Sequence, residues 1–168
     1  MISSIDSIIH KLKLEPHPEG GYFKETYRSL GELDERSLGQ DYIGKRNFST
    51  CIYFLLTSDS FSALHRIKQD EIWHFYDGSP IRLHVISELG VHTTHIIGRN
   101  LEKNETPQFV VPGGCWFGAE VINKNSYSLV GCTVSPGFDF KDFELKSKKE
   151  LLALFPDNEE IISKLTHQ

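Results

Sequence analysis

The chain has 168 residues, 39% of them apolar, and a formal net charge of −5. That suffices for one domain with a real core. It lacks the basic patch of a nucleic-acid binder, since its densest basic run is only Lys146-Ser147-Lys148-Lys149, and its apolar runs fall far short of the roughly 20 residues of a membrane-spanning helix.

Residues 3–13 read as a short helix: Ser3 or Ser4 can cap it, and Ile5, Ile8, Ile9 and Leu12 keep one apolar face until Pro16 and Pro18 end it. "GGYFKETYRS" then alternates into a strand. Residues 30–47 carry three glycines and seven charges; so long a polar stretch predicts a mobile flap or insertion. From Phe48 the text changes to eight short runs rich in β-branched and aromatic residues, "STCIYFLL" to "YSLVGCTV", with turn signals between them. Strands at intervals of roughly ten residues predict a sandwich or barrel. No helices alternate with them, and no GxGxxG or GxxxxGK[ST] pattern occurs. The tail turns helical twice, with Ser147 and Asp157 as caps. The expectation is one domain over 1–168: an N-terminal helix at 1–14, an all-β barrel at 15–140, and helices at 146–168 laid against its outside.

Cys51, Cys115 and Cys132 are odd in number and far apart. They read as free, buried thiols of a reducing compartment. With no basic n-region ahead of an apolar h-region, a cytoplasmic location follows.

The chemistry concentrates in "HRIKQDEIWHFYDG" at 65–78. This stretch resembles the first motif of the cupin superfamily, G-x5-H-x-H-x3-4-E-x6-G: His65, Glu71 and Gly78 fit, while Asp59 stands at the first glycine and Ile67 at the second histidine. Pro112 and Gly114 match the P-x-G of the second motif. Thr106 replaces its glycine, Phe117 its histidine and Val121 its asparagine. The chain from "HPEGGYF" to "SPGFDFKDFEL" resembles the short cupins called cupin-5, a domain of unknown function. A more distant likeness is to metal-free sugar-nucleotide 3,5-epimerases: "EGGYFKE" is similar to their N-terminal strand, with Gly20 where they have arginine, and "ALHRI" places His65 at their catalytic histidine. The resemblance implies a jelly-roll barrel with short flanking helices, a homodimer, and no established activity.

With Ile67 and Phe117 at two ligand positions, the sequence predicts neither metal nor other cofactor. His65 and Glu71 are the expected acid–base pair, because an imidazole beside a carboxyl in a partly apolar cavity can exchange protons near neutrality. Tyr22, Arg28, Ser49, Tyr53, Trp73, Phe75, Trp116 and Glu120 are the candidate ligand contacts. His10, His17 and His167 read as surface residues. Three functions stay open: a cupin that binds a small polar molecule in its barrel without a metal; a metal-independent isomerase or epimerase of a sugar-like or nucleotide-like substrate; or an assembly or storage protein with a filled barrel.

Overall fold

The computed structural model describes residues 4–39 and 41–167, with Ser4 in its backbone alone. Of the two expected first-helix caps, Ser3 and the Ser4 side chain therefore lie outside the described residues. The chain runs α1 (Ser4–Leu12), β1 (Glu15–Pro16), β2 (Tyr22–Arg28), β3 (Glu32–Leu33), α2 (Glu35–Leu38), β4 (Arg46–Asn47), β5 (Thr50–Thr57) and β6 (Phe61–Arg66). It continues through β7 (Asp70–Gly78), β8 (Ile81–Ile86), β9 (His92–Ile97), β10 (Gln108–Val111), β11 (Trp116–Val121), β12 (Tyr127–Ser135), β13 (Glu144–Leu145), α3 (Lys148–Leu154) and α4 (Glu159–Lys164). All eight strands expected after Phe48 form, as β5 to β12.

Two antiparallel sheets face each other as a jelly roll. One has the order β1-β2-β5-β12-β7-β10, the other β13-β6-β11-β8-β9. Alternation along each strand sends every second side chain inward. Phe54 and Leu56 of β5, Trp73 of β7, Leu83 and Val85 of β8, and Phe117 and Ala119 of β11 fill the space between the sheets. The opposite face of β6, β8 and β11 presents Leu64, Ile86 and Trp116, which α3, α4 and the tail cover with Leu151, Ile161, Ile162 and Leu165. Ser147 caps α3 in a reciprocal box with Glu150. Asp157 does not cap the last helix. It lies inside a 3-10 turn at Pro156–Asn158, and Asn158 takes the cap position without a side-chain bond.

The charged stretch 30–47 is not a featureless flap. β3 and β4 pair as a two-stranded ribbon on either side of α2. Arg46 ties it down with two bonds of 2.6 Å from its guanidinium to the carboxylate of Asp142, which also accepts from Gln69 Nε2 at 2.7 Å. Both charges of the pair are fully buried, and this fork geometry is what makes such burial tolerable.

Candidate functional site

A cavity of about 310 Å³ opens at one end of the space between the sheets. Two strand irregularities shape it. On a regular strand, residues three apart point to opposite faces. In β2 the register slips between Glu25 and Tyr27, so Glu25 and Arg28 both turn to the cavity side. In β6 it slips opposite Gly118, where Ala63 and Leu64 face one residue, so Ser62 and His65 both turn inward. A β-bulge does this by adding one residue to one strand. Gly118 is the residue that makes room: a Cβ there would sit 2.7 Å from the Ser62 carbonyl oxygen.

Glu19 occupies the inner end of the cavity. It comes from the turn 17–21, where Gly20 takes φ +113° and passes so close to β6 that a Cβ would meet the Phe61 carbonyl oxygen at 2.1 Å. The Glu19 carbonyl accepts from the Ala63 amide at 2.8 Å and lies 3.2 Å from His167 Nε2, so the C-terminal tail closes behind it. Ser62 Oγ donates to Glu19 Oε1 at 2.7 Å. Glu19 Oε2 lies 3.1 Å from His65 Nε2 and 3.4 Å from His17 Nδ1.

These contacts fix a proton. His65 Nδ1 faces the Ala63 carbonyl at 2.7 Å, a pure acceptor, so it carries a hydrogen. His17 Nδ1 accepts from the Glu19 amide at 3.3 Å, so it carries none. With neutral rings, both nitrogens that face Glu19 Oε2 are then bare, and the proton between them sits on Glu19. Burial favours this state from both sides. It pushes the Glu19 carboxyl well above its ordinary value and holds His65 down to about 3 and His17 to about 4. Glu71, also buried, is pushed up to about 7 by loss of water, against the opposing pull of the Cys132 thiol and the Trp73 indole. The buried Trp73 indole N–H lies toward Glu71 without closing a full hydrogen bond.

Phenylalanines form the walls. Phe23 and Phe54 stand on one side, and Phe138, Phe140 and Phe143 pack edge to face on the other. Phe140 is half exposed and marks the mouth. There Arg28 makes a two-pronged pair with Glu25 (3.0 and 2.7 Å) and reaches Asn47 Oδ1 and the Phe138 carbonyl.

The sequence matches the family described as Cupin superfamily (DUF985), Cupin_5, over residues 6–146. The chain belongs to this cupin family. An uncharacterised protein of Saccharomyces cerevisiae is 32% identical over 158 residues, covering 89% of this chain and 79% of its own length. A hypothetical protein of Leishmania major superposes with TM-score 0.90 at 37% identity, over 99% of this chain and all of its own. A Shewanella oneidensis protein does so with TM-score 0.88 at 41%, over 98% of both chains. The oxalate decarboxylase of Bacillus subtilis shares the fold alone, with TM-score 0.54 at 18% identity, over 89% of this chain and 36% of its own.

The cupin motif positions do not compose a metal centre here. Ile67 is buried at one ligand position, and Phe117 lies against the His65 ring at another, with centroids 4.1 Å apart. Both nitrogens of His65 are already engaged. Among the described residues no three His, Cys, Asp or Glu side chains are arranged to hold a metal ion.

Of the residues singled out from sequence, His65, Glu71 and Arg28 line the cavity. Trp73 is fully buried core beside Glu71, and Phe75 packs against the same core. The others lie elsewhere. Tyr22 and Tyr53 alternate with cavity-facing Phe23, Ile52 and Phe54 and so point to the far side of the sheet, where Tyr53 meets Tyr76. Ser49 Oγ is spent on the Val134 carbonyl at 3.1 Å. Trp116 is buried under the C-terminal helices with Arg66 over its ring. Glu120, on the same outer face, holds Arg82 and Lys164 at 3.1 and 2.7 Å. His84, undirected from sequence, points there too and meets His92 at 3.1 Å.

Sequence reasoning picked out Phe138 as a pocket aromatic but missed Glu19, Phe140 and Phe143, and it took His17 for a surface residue. The "HPEGG" turn was visible as a turn. Nothing local marks its glutamate as pointing into a barrel some 45 residues away along the chain.

Proposed function

We propose that this protein is a cupin that binds a small molecule in its barrel without a metal, seating it between the phenylalanine walls and the Glu19–His65–Glu71 group. One observation carries this reading: a cavity of about 310 Å³ joins aromatic walls to convergent buried polar groups, the usual build of a small-molecule site. The same cavity argues against a filled barrel serving assembly or storage. The donor set, with Ile67 and Phe117 at ligand positions, argues against a metal.

The proton shared by Glu19 and His65 favours a second reading, a metal-independent isomerase. A ligand that takes over the Glu19 hydrogen bond would free His65 Nε2 to accept a proton from one face while Glu71 returns one to the other. In that reading His65→Gln abolishes turnover, by about 10²–10⁴-fold for a lost general base.

The test is a fragment screen read by amide shifts. Shifts are expected at Phe23, His65, Glu71 and Phe143, and Ile52→Trp, which fills the cavity, should abolish them. Binders that gather only in the outer groove beside Arg66 and Trp116 would sink the reading. So would about one transition metal per chain in elemental analysis that His65→Ala removes.

A further inference from the structure

The charge balance of the cavity narrows its ligand, and this step rests on the reading of the cavity as a binding site. Among the described residues four carboxyl groups line it, Glu19, Glu25, Glu71 and Asp139, against one guanidinium, Arg28. That guanidinium is already committed: its bidentate pair with Glu25 and its bonds to Asn47 and Phe138 take four of its five N–H donors. It also sits at the mouth, with about two-fifths of its side chain exposed. Among the described residues no cation reaches the inner end. There, Glu71 faces Cys132 from β12, Trp73 from its own strand, and Glu19 and His65 across the cavity, with His17 beyond them. None of these groups offers it a positive charge.

An anion carried to the inner end would lose its water and meet a carboxyl group with no compensating donor charge. A cation meets the opposite situation: a carboxylate to pair with, and phenylalanine ring faces, which attract positive charge. We propose that the cavity selects an organic cation, an ammonium or amidinium head on an apolar or aromatic body, which seats its head on Glu71 and its body against Phe23, Phe138 and Phe143. Sugar nucleotides and other phosphate-bearing or carboxylate ligands find no positive charge at the inner end to offset their lost hydration.

The proposal has a linked consequence. Glu71 holds its proton up to about pH 7 in the free protein, so a cation that pairs with it displaces that proton to solvent. Affinity then rises with pH until Glu71 is ionised without help.

The experiment uses three probes of nearly equal shape: phenethylamine, 2-phenylethanol and 3-phenylpropanoate. Each is titrated by calorimetry into the full chain at about pH 6 and pH 8. The amine should bind at least tenfold more tightly than either competitor, release a proton on binding, and gain roughly tenfold in affinity between the two pH values. Glu71→Gln, folded as judged by its thermal melt, should lower the amine to the level of the alcohol and flatten its pH dependence. An alcohol or acid that binds at least as well as the amine, or an amine affinity independent of pH, overturns this inference while leaving the binding site in place. Silence from all three in the wild type, together with a fragment screen that finds no ligand in the cavity, overturns the binding reading and this inference with it.

Discussion

At the scale of single residues, the barrel holds ionisable groups in states that water would not allow. Glu71 is the clearest case. Its folded-state value of about 7 stands above its ordinary value of 4.5, so the unfolded chain gives up this proton first as pH rises. Glu71 is therefore least costly below about pH 4.5, grows costlier between there and about pH 7, and changes no further above. Glu71→Gln should match wild-type stability in acid and exceed it by roughly 3 kcal/mol at about pH 8. Urea melts at several pH values test this, and parallel curves for the two proteins would refute it. Burial acts on His65 in the opposite sense: its neutral ring contributes stability above about pH 6.5 that is lost as pH falls toward 3. Trp116 belongs to the same scale. Buried between a sheet and two helices, it should cost about 3–5 kcal/mol as Trp116→Ala and leave the cavity's ligand affinity in place. A binding defect without a stability loss would return Trp116 to the site.

At the scale of elements, two bulges decide which residues meet. Without the slip in β6, Ser62 and His65 would point to opposite faces, and Glu19 would lose one of its partners. Gly118→Ala tests this directly, because its Cβ would press on the backbone of Ser62 and Leu64. The expected cost is about 1–3 kcal/mol, together with a shifted His65 imidazole signal in NMR. An unshifted imidazole would mean that the bulge does not depend on Gly118. The strands themselves were legible, since β5 to β12 are short β-branched and aromatic runs bounded by Gly, Pro, Asn and Ser turns. The bulges were not. A bulge is one extra residue relative to a partner strand, and the partner of β6 here is β11, some 50 residues further along.

At the scale of the whole molecule, β1 covers β2 only at Tyr22 and Phe23. From Lys24 to Arg28 the outer edge of β2 has no neighbour among the described residues, and Tyr27 there is 55% exposed. Open strand edges invite pairing, and a two-fold axis lets one edge satisfy its own copy. We propose that the protein is a homodimer joined through this edge. Light scattering should give twice the chain mass at micromolar concentration, and Thr26→Pro should halve it. A monomeric wild type refutes the dimer, and a dimeric variant moves the contact elsewhere.

The sequence alone determined the alternating pattern of the strands, the helical tail with its Ser147 cap, and the cupin spacing that picked out His65 and Glu71. These are local properties, set by side-chain period, turn chemistry and motif distance within a few residues. The tertiary structure decided the rest. It brought Glu19 and His17 from the N-terminal turn to His65, raised the phenylalanines of 138–143 into a wall, sent Trp116 and Glu120 to the outer face, and anchored 30–47 through Arg46 to Asp142. Each of these depends on which strand lies beside which, on where an extra residue slips the register, and on how much water the packing removes. Those quantities come into being only when distant segments of the chain are in contact.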